Sequence, residues 1–201
     1  ITVSIPAVFL AIVTYHQEML PTPLLISISA SLEGVPLPTS VSLFLMLIIF
    51  DILREAGTRM PTAIGQAVNI VGTLVLGQAA VEARLVSAPV VIITAISGIT
   101  TLMLPTIIDA LVLTRLFLLF CASFLGIYGY SFGVILVLLH LMTIRSFGVP
   151  YMAPFSPLTS SDLKDSVIVV PIWAMVTRPK ILRQENAGGE KGTKRQEVKA
   201  R

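Results

Sequence analysis

The sequence predicts an all-α fold: a polytopic helical membrane protein with about five or six spans and a short interfacial or re-entrant helix. Hydrophobic residues make up 55% of the chain and charged ones only 12%, where soluble domains carry about 25% charged residues. Mean hydropathy is +0.90. The apolar runs are broken by proline, glycine and short charged patches and lack the alternation of ten-residue strands, which fits helices and not an outer-membrane barrel.

Ile1 to Tyr15 is apolar, but shorter than the roughly 20 residues a full span needs. It ends in an aromatic and polar rim, Tyr15-His16-Gln17-Glu18. With neither the basic n-region nor the cleavage site of a signal peptide, it reads as the second half of a truncated span in a fragment of a longer chain. Between Pro23 and Pro36 lies a run too short to span, expected to form the interfacial or re-entrant helix and to stop at Gly34. Thr39 to Arg54 is the next apolar helix, with Thr39 or Ser40 available as N-cap and its end marked by Gly57 and Pro61. Pro61 suits the first turn of a helix over Thr62 to Glu82. Along it Thr62, Gln66, Asn69, Thr73, Gly77 and Ala80 recur at steps of four, three, four, four and three, which places them on one helical face.

Val86 to Leu104 forms a further span, ended by Pro105. Ile107 to Ile144 would be about 57 Å long as one helix, nearly twice the hydrocarbon thickness of about 30 Å, so two spans are expected. Their break is placed within Gly126 to Gly133, where three glycines permit a turn and Tyr128 and Tyr130 suit the headgroup level. The membrane domain therefore covers 1–145. Residues 146–183 are too rich in proline for helix at first and carry Trp173, so they read as a peripheral segment anchored at the surface. Residues 184–201 read as a disordered basic tail.

Charge is uneven. Up to Arg145 there are five basic residues against six acidic ones; from Ser146 onward there are nine against five, so the net +3 is −1 from the membrane part and +4 from the tail. A basic tail beside the last span is expected on the cytoplasmic side. Cys121, the single cysteine, sits in an apolar run and reads as packing, with no disulfide framework available.

The candidate functional residues cluster near the end of one helix. Asp51 has Arg54 and Glu55 three and four residues on, and Glu55 has Arg59 at four, the favourable acid-before-base order, worth a few tenths of a kcal/mol in water. The cluster is either an interfacial helix end with self-neutralising pairs or a gate, subunit contact or pore mouth. The face bearing Gln66, Asn69 and Thr73 either glues helices together or lines an aqueous pathway. Glu82, beside Arg84, reads as interfacial, with burial against Gln78 as its alternative. Asp109 falls in the first turn of its helix, where a carboxylate suits the macrodipole.

Enzyme chemistry finds little support. Ser97 and His140 are the residues an intramembrane serine protease would need, but Ser97 lacks a glycine two positions earlier, and a lone serine in a span more often bonds its own backbone. No catalytic residue, metal site or cofactor is expected: His16 and Glu18 have no partner cluster. No phosphate loop is present and the tail is too sparse in aromatics for nucleic-acid binding.

Several blocks carry a resemblance: Tyr15 to Leu25, Glu33-Gly-Val-Pro36, Leu53-Arg-Glu-Ala-Gly-Thr-Arg59, Ile64-Gly-Gln-Ala-Val68, Leu76 to Ala83, Arg145-Ser-Phe-Gly-Val-Pro-Tyr151 and Asp162-Leu-Lys-Asp165. In this order, from about Ile1 to about Lys180, they resemble the A subunits of the GerA family of spore germination receptors. The resemblance implies a membrane subunit of a nutrient germinant receptor in the inner membrane of the endospore. It implies action with a transporter-like B subunit and a lipoprotein C subunit, and assembly into an oligomeric ligand-gated ion channel. It also implies a soluble domain ahead of the membrane part. The chain departs from the family pattern at Leu32, where a basic residue is common, at Leu47, where an acidic one is common, and at Arg84, where glycine is common.

On that basis copies of the domain are expected to surround an axis, with the face from Thr62 to Ala80 toward the pathway and Asp51, Arg54, Glu55 and Arg59 forming rings at its end. Glu33, Gln78 and Glu82 are candidate interface residues. The alternatives are a non-conducting scaffold that docks the transporter-like partner, and a secondary transporter. The latter predicts internal repeats, and the Arg-Glu-Ala-Gly block has no second copy.

Overall fold

The computed structural model describes residues 2–103, 105–146, 149–152 and 155, without the side chains of 62–63, 66–69, 105 and 149. Seven α-helices are formed among these residues: α1 (Ser4–Tyr15), α2 (Thr22–Leu32), α3 (Thr39–Thr58), α4 (Thr62–Glu82), α5 (Ala88–Leu102), α6 (Ile108–Leu125) and α7 (Ile127–Thr143). Short 3-10 turns at Gln17–Met19 and Pro105–Ile107 join them. Most of the peripheral segment and the whole basic tail lie outside the described residues.

The chain forms two compact units, Ile1–Leu136 and Val137–Arg201. In the first, α1, α3, α5 and α6 surround a core of Leu10, Leu43, Met46, Leu47, Val90 and Leu119, closed by Val86. These apolar residues recur at helical spacing along α3, so one face of it is interior. Glycines let the backbones approach. A Cβ on Gly65 would overlap the carbonyl oxygen of Gly57, and one on Gly72 would touch Leu53, so α3 and α4 form an antiparallel hairpin with a small-residue contact. Gly98 of α5 lies against Phe50 of α3, and Val90 shares the core with Leu43 and Leu47, so these two helices run in parallel. Tyr15 closes α1 by donating a hydrogen bond to the carbonyl of Ser123 near the end of α6, at 2.7 Å. Successive long helices therefore alternate in direction.

α2 has no buried residue and ends ahead of Gly34, whose φ is +83°. It is peripheral to the unit. The described part of the second unit comprises the last turns of α7 and a two-residue antiparallel ladder, β1 (Arg145–Ser146) with β2 (Val149–Pro150).

Three local expectations are corrected. The N-cap of α3 is Pro38, in extended conformation, and no side chain caps the helix. Its carbonyl accepts the amide of Ser42 at 3.0 Å, which puts Thr39 and Ser40 already inside the first turn. The helix expected from Val86 begins at Ala88, because the amides of Leu85 and Val86 turn back to the carbonyl of Ala80 and finish α4. The break between α6 and α7 needs Gly126 alone, at φ +62°. Gly129 and Gly133 are helical and serve close packing: a Cβ on Gly129 would overlap the Cys121 carbonyl, and one on Gly133 would stand 2.8 Å from Leu118 Cδ2.

Among the described residues one helix, Ile108–Leu125, is by itself long and apolar enough to cross a bilayer. The exterior of the first unit is nevertheless rich in large apolar side chains, with Ile70 70% exposed, Leu113 73% and Met103 75%. A soluble surface seldom presents apolar patches of this extent without a partner.

Candidate functional site

The ionic centre of the first unit is built on α3, α5 and α6. Asp51 lies one residue beyond Phe50, on the interior face that carries Leu43 and Leu47, and its side chain is 17% exposed. Arg115, in the middle of α6, enters at the same level and is 1% exposed. Its Nη2 donates to Asp51 Oδ2 at 2.5 Å and its Nη1 to Ser97 Oγ at 3.0 Å. Ser97 Oγ in turn donates to the carbonyl of Thr2 at 2.8 Å. One guanidinium thus ties α6 to α3 directly and to α5 and the start of α1 through a hydroxyl. Charge-assisted hydrogen bonds of this kind are about twice as strong as neutral ones, and a buried charge demands them. The Arg115 Nε has no partner among the described residues.

Arg54 stands on the outer side of Asp51, with Nη1 3.4 Å from Oδ1 and its side chain 13% exposed. One turn further, Arg59 donates from Nε and Nη2 to Glu55 Oε1 at 3.0 and 2.8 Å. That second pair is open to solvent, at 79% and 55% exposure, so its contribution is small. The two expected helical pairs are therefore formed, but in different environments.

Thr73 of α4 is half-buried and lines a cleft of about 370 Å³ together with Phe50, Asp51, Arg54, Leu74 and Ile99. Further along the same face Gly77 is buried against Val91 of α5, and Ala80 packs on the core. Gln66 and Asn69 are on α4, with side chains outside the described set. Glu33, Gln78 and Glu82 are exposed, and no hydrogen bond joins Gln78 to Glu82 among the described residues. Asp109 occupies the first turn of α6 and is exposed, and no side chain caps that helix. It serves the helix by its charge alone.

Arg115 was not among the residues that sequence reasoning singled out. The available signal was a single cation midway along an otherwise apolar helix, which demands an interior partner. Ser97 was singled out, but neither as a nucleophile nor as a serine bonded to its own helix does it match the structure. Its hydroxyl donates to the carbonyl of Thr2, just ahead of α1.

An all-helical domain with an apolar exterior and an ion pair locked into its centre is the class that this fold and site define. The chain belongs to the Bacillus/Clostridium GerA spore germination protein family, whose profile matches residues 1–181. It is 44% identical over 188 residues to spore germination protein KA of Bacillus subtilis, covering 92% of this chain and 35% of the relative. It is 41% identical over 201 residues to YfkQ of the same organism, described as an uncharacterized membrane protein, covering 99% of this chain and 39% of the relative. To spore germination protein XA of Bacillus anthracis it is 38% identical over 184 residues, which is 90% of this chain and 37% of the relative. The chain thus spans under two fifths of the length of these relatives. No solved structure matches it.

Proposed function

We propose that this chain is the membrane part of an A subunit of a nutrient germinant receptor, which triggers spore germination as one component of an oligomeric ligand-gated ion channel. The observation that carries the reading is the match to the germination family over residues 1–181, together with relatives named as spore germination proteins. In this reading α1, α3, α4, α5, α6 and α7 are the crossings and α2 lies at the interface, giving six passes. The location is the inner membrane of the endospore, with the basic tail on the cytoplasmic side. The partners are a transporter-like B subunit, a lipoprotein C subunit and further copies of the same chain.

The exposed end of α3 and the first turns of α4 form the pathway mouth in this proposal. Glu55 and Arg59 are the charges free to form rings there, while Asp51 and Arg54 stand behind them. One observation favours a second reading, a non-conducting scaffold: Asp51 is matched within its own subunit, and the described far half of the α4 face, Gly77 and Ala80, packs inward.

Potassium release from spores carrying the full-length protein with Glu55→Gln or Asn69→Leu separates the two. At normal receptor abundance, slowed release supports conduction or gating through this end of the helices. Unchanged release would leave the domain as scaffold.

A further inference from the structure

Among the described residues, Arg54 is the deep cation of the first unit whose donors are unused. Its side chain is 13% exposed, yet it donates no hydrogen bond among the described residues. Its sole charge contact among the described residues, Asp51 at 3.4 Å, is longer than a charge-assisted hydrogen bond. Asp51 is already bonded by Arg115 from the inner side, so the three groups sum to one surplus positive charge. Glu55 and Asp109 border Arg54 on its other side, but Glu55 is bonded by Arg59 and Asp109 is exposed at the start of α6. A guanidinium carries five donors in a fixed fork that suits a phosphate.

The cleft beside it has the complementary shape. Asp51, held from its inner side by Arg115, and Thr73 also line it; the rest of its wall is apolar, made by Phe50 of α3, Ile70 and Leu74 of α4, and Ile99 and Leu102 of α5, with about 370 Å³ of space. Ile70, Leu74, Ile99 and Leu102 are 70%, 65%, 64% and 55% exposed, so the cleft opens sideways onto the apolar exterior and not into an enclosed chamber. Arg54 is one turn from the end of α3, near the depth of lipid headgroups if that helix crosses a bilayer.

We infer that this cleft between α3, α4 and α5 binds one anionic phospholipid, with its phosphate on Arg54 and an acyl chain along Phe50, Ile70, Leu74, Ile99 and Leu102. The inference rests on the membrane placement proposed above. Lipid occupancy here would set the packing of α4 on α3 and α5, and so connect bilayer composition to the region where the candidate gating charges stand.

The test uses the full-length protein, extracted from membranes in mild detergent, offered equal phosphatidylglycerol and phosphatidylcholine and read by native mass spectrometry. The wild type is expected to retain one phosphatidylglycerol in preference to phosphatidylcholine by about tenfold, as one charge-assisted contact allows. Arg54→Gln is expected to bring that ratio close to one, whereas Arg84→Gln, an exposed cation just past the other end of α4, leaves it unchanged. Ile99→Trp, which fills the cleft but keeps the cation, is expected to lower retention as well, and it guards against misfolding of the Arg54 variant. Equal retention of both lipids by the wild type would overturn the inference. So would a preference that survives both Arg54→Gln and Ile99→Trp, or one abolished by glycerol phosphate, which carries the anion without the chains. Alkaline carbonate washing of the membranes beforehand separates the two levels: protein released by carbonate sinks the membrane placement and the lipid site together, while protein retained without lipid preference sinks the lipid site alone.

Discussion

Asp51→Asn is the most informative perturbation of the ionic centre, because the structure makes its cost asymmetric with that of removing the partner. Arg115 is 1% exposed and has Asp51 as its only carboxylate contact among the described residues. Neutralising Asp51 leaves a guanidinium in the interior with no carboxylate contact among the described residues and only neutral acceptors, the introduced amide oxygen and Ser97 Oγ. Stranding a buried charge in this way costs about 3–5 kcal/mol. Removing the cation instead, by Arg115→Met, leaves Asp51 with 17% exposure and with Arg54 still at 3.4 Å, so about 1–3 kcal/mol is expected. The double variant Asp51→Leu/Arg115→Met replaces the pair with apolar groups and is expected to be close to neutral. The assay is the unfolding free energy of the full-length protein in bicelles, for Asp51→Leu, Arg115→Met and the double arranged as a cycle, with Asp51→Asn measured beside them. A coupling energy of at least about 2 kcal/mol is expected for groups in direct contact. If the two single losses simply add in the double variant, or if Asp51→Asn costs under about 1 kcal/mol, the reasoning about the buried cation is refuted.

Further outcomes follow from particular positions and are checked in the same unfolding assay. Arg84 ends α4 at φ +54°, with its amide bonded to the Val81 carbonyl and that of Leu85 to the Ala80 carbonyl, a left-handed cap that favours glycine. Arg84→Gly is therefore expected to stabilise by about 1 kcal/mol. Gly65→Ala places a methyl on the Gly57 carbonyl and is expected to destabilise the α3–α4 hairpin by about 1–3 kcal/mol, with Ile64→Ala as an exposed neighbouring control at under about 1 kcal/mol. Glu55→Gln removes a pair that is 55% and 79% exposed and is expected to change stability by no more than about 0.5 kcal/mol.

The departure at Arg84 shows what sequence comparison by resemblance can deliver when a backbone angle lies behind it. The resemblance implies glycine at that position, and the left-handed cap, at φ +54°, supplies a physical reason for it. The span of α4 was legible in full, Thr62–Glu82, because Pro61 fixes its start and the chain turns directly after Glu82. The pairs Asp51–Arg54 and Glu55–Arg59 were legible because helical spacing puts them within reach on one element. Arg115 was not, because its partner is 64 positions away and periodicity reports only neighbours on the same helix. Ser97 was misread for the same reason: its acceptor, Thr2, is 95 positions away. The glycines at 129 and 133 looked like a turn, since sequence does not distinguish a glycine that bends the backbone from one that lets another backbone come close.

The two ion pairs of α3 therefore have opposite consequences for any attempt to assign function by mutation. Asp51 is held from the inner side by a hydrogen-bonded guanidinium that also reaches α5 and α1, so changing it alters the packing of four helices before it alters any pathway. Loss of germination in an Asp51 variant would then report on folding. Glu55 and Arg59 bond only to each other among the described residues and stand open to solvent, so a functional loss there, at unchanged stability, has no packing explanation. Arg54 lies between the two: deep enough that its charge needs an acceptor, and unbonded enough to exchange one without disturbing Arg115. In the proposed receptor Glu55 and Arg59, rather than Asp51, are therefore the positions where altered ion release can be read as a change in gating.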